Sequence, residues 1–150
     1  MANKITLGSG LETFEIDFKD RGTTTEIAFN PSDPDLMKRL FEAQKTIEER
    51  TKEVQKYELD ENGVPNTDSC IEYFNGINKI IYDAVDYAFG NRISDKIFQY
   101  CSPFAIVGGE FYILHFFNRI APVLEKIIGE KQKKASENAN KHLAKYMKKQ

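Results

Sequence analysis

The segment IEYFNGINKIIYDAVDYAFG, residues 71–90, carries apolar side chains at the three- and four-residue spacing of an α-helix. This spacing predicts a helix over Cys70–Phe89. Two apolar stripes run along it: Ile71, Phe74, Ile81, Val85 and Ala88 in one, and Tyr73, Ile77, Ile80, Ala84 and Tyr87 in the other. Because two stripes make a wide apolar surface, we expect this helix to lie in the middle of a helical bundle. Gly90 is expected to end it.

Two further helices are predicted on the C-terminal side. The short one spans Ile93–Tyr100, and the long one begins near Phe104 or after Gly108-Gly109. The long helix has its own apolar stripe of Ile113, Phe117, Ile120, Leu124, Ile127 and Ile128. Pro122 lies inside this stripe. Because the stripe continues in phase beyond the proline, we expect one kinked helix and not two separate helices.

The N-terminal region shows the two-residue period of β-strands. Three large apolar side chains, Phe14, Ile16 and Phe18, alternate with polar ones, and residues 20–22 supply a turn before a return strand over residues 23–29. Residues 5–7 are a candidate third strand, since Ile5 and Leu7 are apolar. A two-stranded hairpin is marginal in water, so its apolar face must cover a helix or a neighbouring subunit.

A charged helix is predicted from Pro34 to Tyr57, with Asp33 as its N-cap. Leu40, Ile47 and Val54 recur in it every seven residues, while the complementary seam between them is polar. Such a narrow apolar stripe is expected at an edge of the protein or in a helix–helix contact between subunits. Packing against the chain's own hairpin is the alternative.

The composition indicates one globular domain of 150 residues, with 41% hydrophobic and 29% charged side chains. We predict an α+β fold, mainly α, with an N-terminal β-hairpin packed on a bundle of about four helices. The domain covers residues 1–129, and a lysine-rich tail or helix extension covers residues 130–150. The predicted core contains Ile77, Ile81, Phe98, Phe117 and Leu124. Without a membrane-length apolar run or a secretion signal, we expect a cytoplasmic protein that does not contact membranes.

The charge of the chain is distributed unevenly. Residues 126–150 hold eight Lys and two Glu, a net charge of +6, whereas the other residues hold 13 basic and 21 acidic side chains, a net charge of −8. This asymmetry is typical of an interaction tail, with Lys141, Lys145 and Lys148 as candidate contacts; a solvated helix end is the alternative. Nucleic-acid binding is disfavoured, because the tail has no Arg and the rest of the chain is acidic.

No pattern in the sequence is typical of catalysis or of a metal site. The chain has two His and two Cys, without a C-x-x-C or H-x-x-x-H motif. Residues 58–69 are similar to a calcium loop, but Ser69 stands where a bidentate Glu is needed. Gly108-Gly109 is interpreted as a helix-entry turn, because it lacks the Lys of a phosphate loop. We therefore expect a non-enzymatic protein with no cofactor.

The order of the predicted elements and one run of residues are similar to those of a known protein family. The central helix ends in Phe89-Gly90 and is followed by residues 93–98, Ile-Ser-Asp-Lys-Ile-Phe. Before them stand the hairpin and the charged helix, and after them a Ser102-Pro103 break, a long apolar helix and a lysine-rich end. This arrangement, over about residues 12 to 149, resembles the tail assembly chaperones of long-tailed phages and prophages of Gram-positive bacteria.

The resemblance implies a non-enzymatic helper that binds the tape measure protein, keeps its hydrophobic helices soluble and helps recruit tail tube subunits. It also implies action in the host cell cytoplasm and absence from the finished particle. The alternative is a permanent structural or adaptor subunit of a phage tail or a related assembly. We also predict a homo-oligomer, formed through the hairpin face and the Pro34–Tyr57 helix, because neither has enough apolar surface to be stable alone.

Overall fold

The computed structural model describes residues 2–60 and 67–148, so residues 61–66 of the predicted loop lie outside the described residues. The elements in chain order are β1 (Glu12–Phe18), β2 (Thr23–Phe29), α1 (Pro34–Asp60), α2 (Thr67–Phe89), α3 (Ser94–Ile97), β3 (Ile106–Val107), β4 (Glu110–Phe111) and α4 (Tyr112–Lys148). The predicted α+β fold, mainly α with an N-terminal hairpin on helices, is confirmed.

Helices α1 and α2 lie side by side and run in opposite directions. The Arg39 Nε donates to the Ala88 carbonyl at 3.2 Å, which places the start of α1 beside the end of α2. Asp33 caps α1 as predicted, because its Oδ1 accepts a hydrogen bond from the Asp35 backbone N–H at 3.0 Å. Gly90 follows the end of α2 with a φ of +66°, a conformation that favours glycine.

The seam of α1 that the sequence suggested to be polar is buried against the rest of the chain. Ala43 and Thr51 are 3% and 8% exposed, and they lie between the buried Leu36, Ile47 and Val54. The Thr51 hydroxyl donates to the Ile47 carbonyl at 2.7 Å, so burial leaves it with a hydrogen-bond partner. Small side chains at these two positions complete the apolar seam of α1.

Helix α2 lies at the centre of the fold, as its two stripes predict. Ile81, Val85 and Ala88 are fully buried, and Ile77 is nearly so. Of the second stripe, Tyr73 and Ala84 are half-buried against the core, while Tyr87 is exposed.

The predicted core is correct at four of its five positions. Ile77, Ile81, Phe98 and Leu124 are buried, but Phe117 is only half-buried. Its neighbour Phe116 is buried instead and makes an edge contact with Phe89, with ring centroids 6.0 Å apart. Adjacent positions on a helix point about 100° apart, so only one of the two phenylalanines can face the core fully. The predicted stripe chose Phe117, whereas the structure buries Phe116.

The N-terminal hairpin packs its apolar face on the helices of the same chain. Its antiparallel register pairs Phe14 with Ile27 and Glu15 with Glu26, and Gly22 supplies the positive φ of the turn. Phe29 stacks on Phe14, with ring centroids 4.5 Å apart, and makes an edge contact with Phe89 of α2 at 4.9 Å. Of the two coverings proposed for this hairpin, the structure therefore shows the helical one.

The candidate third strand is absent from the described residues. Ile5 and Leu7 are 83% and 85% exposed and belong to no strand. The backbone of β2 is occupied from the other side, because the Asn91 Nδ2 donates to the Ala28 carbonyl at 2.7 Å and the Lys96 Nζ to the Glu26 carbonyl at 2.8 Å. A third strand on this edge would have to displace both side chains.

The connection from α2 to α4 differs from the prediction in two ways. The short helix spans only Ser94–Ile97, not residues 93–100. Gly108-Gly109 is not a helix-entry turn but the turn of a small hairpin formed by β3 and β4. Both glycines have a positive φ, of +60° and +83°, which a tight two-residue hairpin turn of type I′ requires.

Helix α4 begins at Tyr112, after the glycine pair, and continues without a break through Pro122 to Lys148. The single-helix prediction is therefore correct. Pro122 and Asn118, whose carbonyl would accept the missing hydrogen bond, both lie on the exposed side of the helix. Water can satisfy that carbonyl there.

Candidate functional site

The predicted contact residues of the hairpin, Phe14, Ile16 and Phe18, lie on its inner face. All three are half-buried. Phe14 and Ile16 pack against the core, and Phe18 makes an edge contact with the Tyr100 ring at 4.9 Å. These side chains hold the hairpin on the body, so they do not form an exposed surface for a partner.

The predicted contact residues of α1 are also turned inward. Ile47 and Val54 are 1% and 0% exposed, and Leu40 is half-buried against the core. The structure therefore places this stripe inside the chain, not on a face available to another subunit. The physical reason is that α2 covers α1 along its length, with Ala43 and Thr51 closing the seam.

The predicted lysines lie on the part of α4 that projects from the body. Every described side chain from residue 129 to residue 145 is exposed, including Lys141 and Lys145. Lys148 belongs to α4, but its side chain lies outside the described residues. We call residues 129–148 the α4 extension; at 1.5 Å per residue it is about 30 Å long.

The α4 extension presents two different faces. Lysines recur on one face at 131, 134, 141 and 145, with spacings of three, seven and four residues. A second face carries the small or apolar side chains of Ala135, Ala139 and Leu143, four residues apart. Leu143 is 58% exposed. We call these the lysine face and the alanine–leucine face.

One ion pair joins the α4 extension to the hairpin. The Lys131 Nζ lies 3.1 Å from the Glu12 Oε2 at the start of β1, and both side chains are more than 40% exposed. An exposed pair of this kind contributes at most about 1 kcal/mol. Beyond Lys131 the described residues contain no further ion pair or hydrogen bond from the extension to the body.

The sequence analysis missed several exposed apolar side chains on the body. Met37 and Phe41 lie one turn apart on α1, 50% and 63% exposed, and the Lys45 Nζ lies 5.2 Å from the Phe41 ring centroid. Tyr87 is exposed on α2 and donates its hydroxyl to the Glu42 carboxylate at 2.8 Å, a hydrogen bond that raises the pKa of Tyr87. The sequence contained a signal for Met37 and Phe41, because both lie on a different side of α1 from Leu36, Leu40 and Ala43, which face the core.

Asp86 occupies the polar cleft between α2 and α3 as a structural cap. Its Oδ1 accepts hydrogen bonds from the Ile93 and Ser94 backbone N–H groups at 2.9 and 2.8 Å, and its Oδ2 accepts one from the Ser94 hydroxyl at 2.9 Å. These bonds fix the start of α3 to the end of α2.

The other polar groups of interest also have structural partners. The His115 Nδ1 lies 3.3 Å from the Glu110 carboxylate, as expected of a hydrogen-bonded histidine. The Tyr112 hydroxyl donates to the Ile97 carbonyl at 2.7 Å, and burial raises the pKa of Tyr112 to about 12. Among the side chains that the structure describes, over residues 2–54 and 70–145, no three His, Cys, Asp or Glu come together as a metal site.

Comparison with protein-family models, with curated protein sequences and with solved structures finds no match for this chain. None of the helices in the described ranges combines the length and the apolar character that crossing a membrane requires. The surface geometry therefore carries the functional argument, and the most distinctive surface is the α4 extension.

Proposed function

We propose that this chain is a non-enzymatic assembly chaperone of the phage tail type, which binds the tape measure protein and helps recruit tail tube subunits. It acts in the host cell cytoplasm and leaves before the particle is finished. The observation that carries the proposal is the α4 extension, whose described side chains are all exposed up to residue 145.

An exposed helix of this length is suited to a helical client. Most of the stability of a helix in a protein comes from the packing of one of its faces, so a partner that packs along one face would stabilise the extension. The alanine–leucine face has only one large apolar side chain, Leu143, flanked by Ala135 and Ala139. Small side chains allow close helix–helix approach, while the dilute apolar surface limits aggregation of the unbound chaperone.

The tape measure protein is proposed as the client because of the resemblance to phage tail assembly chaperones. The hairpin, the charged helix, the Phe89-Gly90 end of α2 and the lysine-rich end follow one another in the order on which that resemblance rests. The fold is also compatible with a helper that does no chemistry, since Asp86, His115 and Tyr112 are each engaged in hydrogen bonds that hold elements together.

The test is co-expression with the tape measure protein, taken as the product of a very long coiled-coil gene next to the gene of this chain. We expect the wild type to increase the soluble fraction of that protein several-fold. The double variant Ala139→Glu/Leu143→Glu places two carboxylates on the alanine–leucine face and should abolish the gain.

The matched control is Asn140→Glu/Ala144→Glu, which adds the same charge to the same exposed helix on another face. This control should keep the gain in soluble tape measure protein. Equal activity of the two double variants would contradict the proposed client surface. If mass spectrometry finds the chain in purified particles, it is a permanent adaptor subunit instead of a chaperone.

A further inference from the structure

The outer face of the hairpin is acidic and has no partner within the described residues. Glu15, Asp17 and Glu26 are exposed on it, and none takes part in an ion pair. Glu15 lies directly opposite Glu26 in the antiparallel register. Like charges in directly opposed cross-strand positions destabilise a sheet, so this face is a place where a cation would be favourable.

Lys96, which reaches the edge of β2, does not relieve this repulsion. The Lys96 Nζ approaches Glu26, but it donates to the backbone carbonyl at 2.8 Å and forms no ion pair with the carboxylate. The hairpin face therefore keeps its three negative charges close together.

The lysine face of the α4 extension has the opposite charge and is equally unpartnered. Lys134, Lys141 and Lys145 are exposed and form no ion pair over the described ranges. Lys131, the first lysine of this face, already pairs with Glu12 at the start of β1. The remaining lysines lie farther along the extension, where the chain's own body makes no contact with them.

The distance between charges on the lysine face is similar to the distance between charges on the acidic hairpin face. Lys141 and Lys145 are four residues apart on a helix, which separates them by about 6 Å along the axis. Glu15 and Asp17 are two residues apart on a strand, about 6.7 Å, and the cross-strand neighbour Glu26 lies about 5 Å from Glu15.

We propose that the lysine face of one copy docks on the acidic hairpin face of a second copy. This inference is independent of the proposed client, which uses the alanine–leucine face of the same helix. The two surfaces in contact are different parts of the molecule, so each copy that binds leaves one lysine face and one hairpin face open. Successive copies therefore either close into a ring or extend into a longer assembly as concentration rises.

The first test is the molecular mass of the wild type at micromolar concentration, measured by sedimentation at low salt and at about 1 M salt, where screening is nearly complete. We expect species larger than the 17.2 kDa monomer at low salt and mainly monomer at high salt. A monomer under both conditions overturns the proposal.

Charge reversal then identifies the contact. Glu15→Lys/Glu26→Lys and Lys141→Glu/Lys145→Glu should each weaken self-association at least about tenfold. A mixture of the two variants, or the fourfold variant that carries both reversals, should restore it because the charges are complementary again. Lys133→Glu, on another face of the extension, is the control and should associate like the wild type.

The outcomes separate this proposal from others. If both reversals weaken association and neither the mixture nor the fourfold variant restores it, the two faces do not meet and the proposal is wrong. Equal association of Lys133→Glu and Lys141→Glu/Lys145→Glu also overturns it. If the alanine–leucine variant kept the full gain in soluble tape measure protein, the proposed client surface would be wrong while these association results would stand, so the two proposals fail separately.

Discussion

At the scale of single residues, Asp86 joins two elements of the molecule through one side chain. It accepts three hydrogen bonds that join the end of α2 to the start of α3. Hydrogen bonds to a charged acceptor contribute more than neutral ones, and their loss leaves backbone donors without partners. The side chain acts as a cap although it lies eight residues before Ser94, the first residue of the helix it caps.

Replacing Asp86 should therefore destabilise the protein clearly. We expect Asp86→Ala to lower the free energy of unfolding by about 2–3 kcal/mol, measured by urea denaturation. Ser94→Ala removes only one of the three hydrogen bonds and should cost about 1 kcal/mol. Equal effects of the two variants would show that the backbone bonds at Ile93 and Ser94 contribute little.

The two neighbouring phenylalanines of α4 should differ in their contribution to stability. Phe116 is buried against Phe89, so Phe116→Ala should lower the free energy of unfolding by about 3–5 kcal/mol. Phe117 is half-buried, so Phe117→Ala should cost only about 1–2 kcal/mol. Urea denaturation of the pair checks this, and a larger loss for Phe117→Ala would contradict the packing described here.

The buried hydroxyl of Tyr112 should make the free energy of unfolding fall in alkaline solution. Burial raises its pKa from about 10 to about 12 in the folded chain, so the unfolded chain loses this proton first. The contribution is fully present below pH 10 and is lost as the pH rises toward 12. Urea denaturation between pH 8 and 12 should therefore show a flatter alkaline decline for Tyr112→Phe than for the wild type, and parallel declines would contradict the assignment.

At the scale of elements, α4 combines a packed part and an exposed part in one helix. Ile113 and Leu124 are buried, whereas the described side chains from residue 129 onward are exposed. A chain that ends after Ile128 should therefore keep the stability of the body within about 1 kcal/mol, because the exposed Lys131–Glu12 ion pair is the only polar contact with the body that the described part of the extension makes.

Circular dichroism of that shortened chain should lose the signal of about 20 helical residues, while its urea midpoint stays close to that of the full chain. A drop in stability of several kcal/mol would mean that the extension packs on the body in solution.

The elements also show what sequence patterns can and cannot predict. The Asp33 cap, the Gly22 turn and the phase of the α4 stripe across Pro122 depend on residues close together in the chain, and they were predicted correctly. The covering of Ile47 and Val54 depends on which helix lies opposite, and periodicity does not contain that information. The Asp86 cap and the occupied β2 carbonyls were missed for the same reason, since each joins separate elements.

The predictions for the candidate surface also differ according to whether they depend on local sequence or on tertiary packing. The exposure of Lys141 and Lys145 follows from local composition and was predicted, whereas the hydrophobic contact residues, expected to face another subunit, face the core of their own chain. Phe14, Ile16 and Ile47 were correctly identified as members of apolar faces. Whether such a face meets the same chain or a partner is decided by tertiary packing, which a single sequence does not show.

At the scale of the whole molecule, the hairpin and the helices should unfold together. Phe29 of β2 contacts both Phe14 and Phe89, so the hairpin shares its largest buried side chain with α2. Hydrogen exchange should give similar, high protection to amides of β2 and α2, and little protection beyond residue 129. Early exchange throughout the hairpin would show that it opens independently of the helices.

The continuity of α4 through Gly129 also fixes an angular relation between the body and the lysine face. Each inserted residue turns everything beyond it by about 100°, and seven insertions bring it back to within about 20°. One extra alanine after Gly129 should therefore rotate the lysine face away from its direction and disturb any contact that requires it. Seven extra residues should lengthen the reach by about 10 Å and preserve the direction, so a contact of the lysine face should tolerate insertions only in helical phase.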